Sequence, residues 1–286
     1  MASIKTIKKR ITSVNNMKKI MKAMNLVATS KLQKAKVRLE HIRPMYDNLQ
    51  KVMDSIKAAV GDEESILYAE EREVRNIAYI VLTSDRGLCG GFNTNISKEA
   101  LAFVESNKGK QEKIITVGHK GLEFFRRRNK EVVYKYPAAS EASAFADAEE
   151  LGFRIAEMYK SGEADEVYII FMHFETILAH VPHIVRLLPF KADKSDESGS
   201  HTMMSYDPDA KTFIEHAVPM YLSISIYGAM MESVVCEQAS RMTSMDSATR
   251  NAAEIIENLT LEYNRKRQGM ITQEITEIVT GANALQ

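Results

Sequence analysis

The chain has 286 residues, enough for one large or two small domains, and its 38 Lys/Arg balance 38 Asp/Glu, so net charge points to no class of partner. Two cysteines, Cys89 and Cys236, are too few for a disulfide framework and have no metal-ligand spacing, which fits a reducing cytosol. No apolar run approaches the roughly 20 residues of a membrane span.

The distribution of charge says more than its total. Residues 1–39 carry eleven Lys/Arg and no Asp or Glu. An acid-free start resembles a mitochondrial targeting helix, but such segments lead into a separate mature start. Here one pattern continues past residue 55, so the segment is expected to belong to the mature protein. Ile4, Ile7, Ile11, Val14, Met21, Ala28, Leu32, Ala35, Leu39, Ile42, Tyr46, Leu49, Met53, Ile56 and Val60 hold a single three-four register. Such a repeat over about eight heptads predicts a coiled-coil helix over 1–60, roughly 90 Å long. Pro44 falls on its outer face, and Gly61-Asp62 stops it. Lys18 and Asn25 interrupt the seam. Polar seam residues fix register, so a polar layer is expected opposite them, in the region of Gln238 and Arg241.

Residues 61–75 read as an acidic linker, after which the periodicity changes. Ile77 to Leu82 is a continuous apolar run, the mark of a strand buried on both faces. A helix to about Ser106 follows, then a strand at Lys113–Val117, a short helix at Gly121–Arg128 and a strand at Val132–Tyr136. A helix over Glu141–Lys160 precedes strands at Glu166–Phe174 and His183–Leu188. This alternation predicts an α/β domain over 76–190 with a largely parallel, Rossmann-like sheet. Residues 191–205 read as a mobile loop. A last helical segment, 206–286, starts near Tyr206-Asp-Pro-Asp209, with a kink expected at Pro219.

In this last helix Met245, Ala248, Ala252, Ile255 and Leu259 form a second three-four seam, and Glu237/Arg241, Asp246/Arg250 and Glu262/Lys266 sit four apart with the acid first. After Arg267 charge nearly vanishes. The fold class is therefore α/β plus a long antiparallel coiled coil, with N- and C-terminal helices bracketing the α/β domain. The second helix is longer by ten to fifteen residues, so roughly 15 to 25 Å of its tip has no partner within the chain.

The motifs give little chemistry. Gly87-Leu-Cys-Gly-Gly91 is neither G-x-G-x-x-G nor a phosphate loop, and Gly118-His119 stands where a ribose-binding acid is expected. A structural strand-to-helix turn is the better reading. His173, His180 and His183 match no zinc pattern, and Cys89 has no partner group at catalytic spacing. The basic N-terminal helix leaves three readings open: nucleic acid, an anionic membrane, or an acidic protein surface. Residues 1–45 contain no aromatic for base stacking, and the apolar face is already taken by a helix, so an acidic protein partner is favoured.

Several stretches resemble one family. Ile4 to Leu32, with Lys22-Ala-Met24 and Val27-Ala-Thr-Ser-Lys31, is similar to the opening of F-type ATP synthase gamma subunits. So are Thr83-Ser-Asp-Arg-Gly-Leu-Cys-Gly-Gly-Phe-Asn93, Ser240-Arg-Met-Thr-Ser-Met-Asp-Ser-Ala-Thr249, Tyr263-Asn-Arg-Lys-Arg-Gln268 and Ile271 to Gly281. The resemblance implies a central rotor shaft that couples ion flow through a membrane c-ring to conformational cycling of catalytic beta subunits, and pumps ions in reverse. It implies alpha and beta subunits, epsilon and the c-ring as partners, no nucleic acid, and contact with the membrane only through other subunits. It implies no catalytic residue, cofactor or metal in this chain. Lys8, Lys9, Lys18, Lys22 and Met24 are then expected near an acidic lever of beta. Arg241, Arg267, Gln268 and Thr272 are expected at its catch loops, and Met270, Ile271, Ile275, Ile278 and Leu285 in an apolar bearing. Arg38, Arg43 and Tyr206 are the foot residues for the c-ring and epsilon. The regulatory cysteine insertion of chloroplast members is missing, and without a presequence the expected place is the cytoplasmic face of a bacterial plasma membrane. The alternative is an α/β nucleotide-binding protein with a coiled-coil arm.

Overall fold

The computed structural model describes residues 3–60, 68, 72–139, 144–189 and 210–284. The expected 191–205 loop, the helix start at 206–209, most of the 61–75 linker, Tyr206 and Leu285 lie outside these residues, as do the seam side chains at Tyr46, Leu49, Met53, Ile56 and Val60. The elements are α1 (Ile4–Val60), β1 (Asn76–Leu82), α2 (Phe92–Ser106), β2 (Gln111–Val117), α3 (His119–Arg126), β3 (Val132–Tyr136), α4 (Ala144–Lys160), β4 (Glu166–Phe174), β5 (His180–Leu188) and α5 (Ala210–Ala284). The chain divides into two compact units, Ser30–Ser240 and Met1–Thr29 with Arg241–Gln286.

The first unit is built on a five-stranded sheet in the order β3-β2-β1-β4-β5. β1 is central because it has no polar face: Ile77 to Leu82 are all buried. Its side chains alternate between two cores. Ala78, Ile80 and Leu82 pack with Leu151 and Ile155 of α4 and with Val218, Leu222 and Ile226 of α5. Ile77, Tyr79 and Val81 face Phe92, Ile96 and Ala100 of α2 and Phe125 of α3. Four strands are parallel, and β5 closes the edge as the antiparallel arm of a hairpin with β4. The chain steps from β1 through β2 to β3, then crosses back by α4 to β4 on the other side of β1. Right-handed crossovers in opposite directions put α2 and α3 on one face and α4 on the other. Gly152 is where α4 meets α5 most closely, since a Cβ there would run into Ser223. α5 passes through Pro219 without a break, and the Pro219 carbonyl accepts the Ser223 hydroxyl at 2.7 Å.

The second unit is a helix pair. On α1, Ile7 and Ala28 are buried and Ile4, Ile11, Val14, Lys18, Met21 and Asn25 half-buried, so the predicted seam forms, with Met24 alongside it. Asn25 Nδ2 donates to the Met242 carbonyl at 2.9 Å. Helix backbone thus supplies a polar partner for Asn25, because a carbonyl keeps a free lone pair for a donor that reaches it. On α5, burial runs through Met245, Thr249, Ala252, Ile256 and Leu259. Ile256 replaces the expected Ile255, which is 48% exposed. Both residues satisfy a three-four count from Ala252 to Leu259, and only the facing helix chooses between them.

Stability should follow this seam. Ile7 is 1% exposed and Ile20, on the same helix, 60%. Ile7→Ala is expected to cost about 2–4 kcal/mol in urea unfolding, and Ile20→Ala less than about 0.5 kcal/mol. The α/β domain should also be alkali-sensitive. Burial pushes the Tyr79 phenol up to about 12, partly offset by a hydrogen bond with Asn107. The folded state therefore holds that proton more tightly than the unfolded chain. Stability is unaffected below pH 10 and falls as pH rises from 10 towards 12, by up to about 2–3 kcal/mol. Tyr79→Phe should flatten that part of the pH–stability curve.

Candidate functional site

The turn after β1 is held by its own side chains. Thr83 Oγ1 donates to the Val117 carbonyl at 2.9 Å and accepts from the Gly121 N–H at 2.9 Å. Asn93 Oδ1 accepts from the Ser84 N–H at 2.9 Å. Asp85 Oδ1 accepts from the N–H of His119, the first residue of α3, at 2.8 Å, and from Ala138 at 3.3 Å. A helix N-terminus at the carboxyl ends of parallel strands is where an α/β fold would bind a phosphate. Here the chain supplies the anion itself. Gly118, with φ +95°, lets the strand end pass so close to Thr83 that any Cβ would strike the Thr83 carbonyl. The turn that opens the Gly-rich motif is thus tied by Thr83, Ser84 and Asp85 to its neighbours in the domain.

Neither cysteine is poised for chemistry. Cys89 is buried and accepts from Asn93 Nδ2 at 3.2 Å. Cys236 is buried, donates to the Met172 carbonyl at 3.4 Å, and has its thiol pKa pushed up by burial. His173 and His183 pack with ring centroids 5.3 Å apart, and His173 Nδ1 lies 2.9 Å from Glu232 Oε2. Among the described residues no three His, Cys, Asp or Glu are grouped to hold a metal. The α5 span Ala217–Asn283 contains a stretch long and apolar enough to cross a membrane, but 72% of that stretch is buried within the protein.

What remains is surface. In the helix pair Lys8, Lys9 and Lys22 are exposed and Lys18 and Met24 half-buried. These four lysines form no ion pair among the described residues. Asp246–Arg250 at 2.9 Å and Glu262–Lys266 at 3.0 Å pair along α5 as their spacing predicts. Arg241 is half-buried, near the Asn25–Met242 contact. Stepping back from Asn25 reaches Ile4 after twenty-one residues, and the same step forward from Met242 reaches Tyr263. Burial on α5 indeed ends at Lys266, and every residue from Arg267 to Asn283 is exposed. At ~1.5 Å per residue this tip is about 25 Å of helix without a neighbour among the described residues. It carries Arg267, Gln268 and Thr272, and also Met270, Ile271, Ile275 and Ile278, the last 71% exposed. Its hydroxyls turn inward: Thr272, Thr276 and Thr280 donate to the carbonyls four residues back at 2.7–3.0 Å.

In the other unit, Arg38 is half-buried. Arg43 is half-exposed and paired with Glu232 at 3.2 Å. Sequence reasoning missed Glu232, although a single carboxylate inside Met230-Met-Glu-Ser-Val-Val235 was a visible signal. It also missed Asp85 as the cap of α3, because those partners are 34 residues apart.

Fold and surface together define an α/β domain bracketed by two long helices, the second ending in an exposed helical tip. A family model described as ATP synthase matches residues 3–285. The chain is 40% identical to an ATP synthase gamma chain of Desulforamulus reducens, with all of both chains covered. It is 37% identical to a sodium ion specific ATP synthase gamma chain of Acetobacterium woodii, covering 99% of each. A chain of the Euglena gracilis mitochondrial ATP synthase shares the fold, with TM-score 0.71 at 16% identity over 99% of this chain and 94% of that one. The chain belongs to the gamma subunit family of F-type ATP synthases.

Asp85→Ala should lower unfolding stability by about 1 kcal/mol, the cost of a lost helix cap, while Asp85→Asn should cost less. Neither these variants nor the parent should gain melting temperature on addition of ATP or NAD.

Proposed function

We propose that this chain is the central rotor shaft of an F-type ATP synthase, coupling ion flow through a membrane c-ring to the nucleotide affinities of catalytic beta subunits. The observation that carries the reading is the tip: an uninterrupted exposed helix, Arg267–Asn283, continuing past the end of its partner and rich in apolar side chains. Apolar area of that kind is stable in water only when something surrounds it. A sleeve of alpha and beta subunits suits it, because the threonine hydroxyls are already satisfied on the helix itself.

The residue roles are those that membership of the gamma subunit family implies. Lys8, Lys9, Lys18 and Lys22, with Met24, offer a basic face to an acidic segment of beta. Arg241, Arg267, Gln268 and Thr272 offer donors to beta catch loops. Met270, Ile271, Ile275, Ile278 and Leu285 form the bearing. Arg38, Arg43 and Tyr206 serve the foot, towards epsilon and the c-ring. The chain contributes no catalytic group. It acts by linkage: a shaft biases each beta subunit only through contacts that differ between its orientations. The assembly belongs on the cytoplasmic face of a bacterial plasma membrane.

Replacing Arg241, Arg267 and Gln268 together by Ala should leave the isolated chain folded. ATP synthesis in vesicles should fall by roughly tenfold or more, the scale of one lost charge-assisted hydrogen bond. Synthesis at the parent rate would remove these residues from the catch.

A further inference from the structure

The unit Ser30–Ser240 attaches its two long helices to the sheet in different ways. α5 is fastened by packing: Val218, Leu222, Ile226, Ala229 and Met230 share one buried cluster with Ile80, Leu82 and Ile169. Among the described residues, neither buried cluster of the domain includes a side chain from α1. Where Leu39 and Ile42 of α1 approach Phe171 and Val185 of the β4–β5 hairpin, a cavity of about 330 Å³ opens. Side chains lining that cavity lack protein contacts on one side, so polar bonds beside it add to the hold that Leu32, Ala35 and Leu39 give α1.

Beside the cavity lies Glu232, 9% exposed and on α5. Its Oε1 accepts from Arg43 Nη2 of α1 at 3.2 Å, and its Oε2 meets His173 Nδ1 of β4 at 2.9 Å. His173 in turn packs against His183 of β5. One carboxylate thus joins both long helices and the hairpin. Another link from α1 to β4 is Lys36, whose ammonium sits 5.6 Å from the Phe174 ring centre. Charge-assisted hydrogen bonds are short and directional. They resist the twist and sliding that apolar surfaces across a gap permit.

We propose that Glu232 is a positioning residue at the root of the shaft, fixing α1 and α5 to the α/β domain so that torque passes between them without slip. The proposal rests on the rotor-shaft reading. It also gives Arg43 a role inside the chain, beyond any contact it makes with another subunit.

The test uses membrane vesicles carrying the whole synthase assembled with this chain, scoring ATP hydrolysis, ATP-driven ion pumping and complex recovery. Glu232→Leu should leave hydrolysis near the parent rate while ions pumped per ATP fall several-fold. Glu232→Gln, which keeps an acceptor for Arg43 and a donor for His173, should restore most of the ratio. Arg43→Leu should lower it in the same direction, and Arg43→Leu with Glu232→Leu should be no worse than Glu232→Leu alone, as expected for one unit. Should Glu232→Leu not assemble, His173→Phe, which removes the hairpin's bond to the same carboxylate and is assigned to no other subunit, decides by the same ratio. A parent-like ratio in assembled variants, even with a lowered melting temperature, would make Glu232 an ordinary stabilising pair and overturn the proposal. Additive losses would do the same, returning Arg43 to an external contact. Failure of the parent chain itself to support pumping would overturn the shaft reading and this proposal with it.

Discussion

An amphipathic helix can bury its apolar stripe only as far as another helix lies beside it. The rest of this molecule's behaviour follows from that limit. The α1 seam ends at Ile4, burial on α5 ends at Lys266, and the residues beyond keep an apolar composition with no neighbour. The hydrogen bond from Asn25 to the Met242 carbonyl sets the register from which this mismatch is counted. A polar residue on an apolar seam costs stability and favours one register.

The α/β domain is a largely parallel sheet in which the start of α3 is capped from within: Asp85 takes the place of an anion there. What the domain offers is a doubly covered sheet on which helices can be mounted. Glu232 stands where α1, α5 and the β4–β5 hairpin share one carboxylate.

Much of this was legible in the residues. The α1 seam through Ile42, the strands at 132–136 and 166–174, and the ion pairs 246–250 and 262–266 all follow from local period and spacing. So does the exposed position of Pro44. Boundaries drifted where no local signal exists: β2 begins at Gln111 rather than Lys113, and β5 at His180 rather than His183, because strand ends are set by pairing with a neighbour. The choice of Ile256 over Ile255 has the same origin.

Sequence alone determined the periodicities, and with them two long helices, an alternating α/β core, a basic acid-free start and a tip short of charge. Those are properties of neighbouring residues, so a local reading recovers them. Tertiary structure decided which carbonyl answers Asn25, that Asp85 caps α3 from across the domain, and that Arg43, Glu232 and His173 share one carboxylate. Each of these joins residues far apart in the chain through a few directional bonds. Only the folded geometry brings such partners within reach, so spacing along the sequence carries no trace of them.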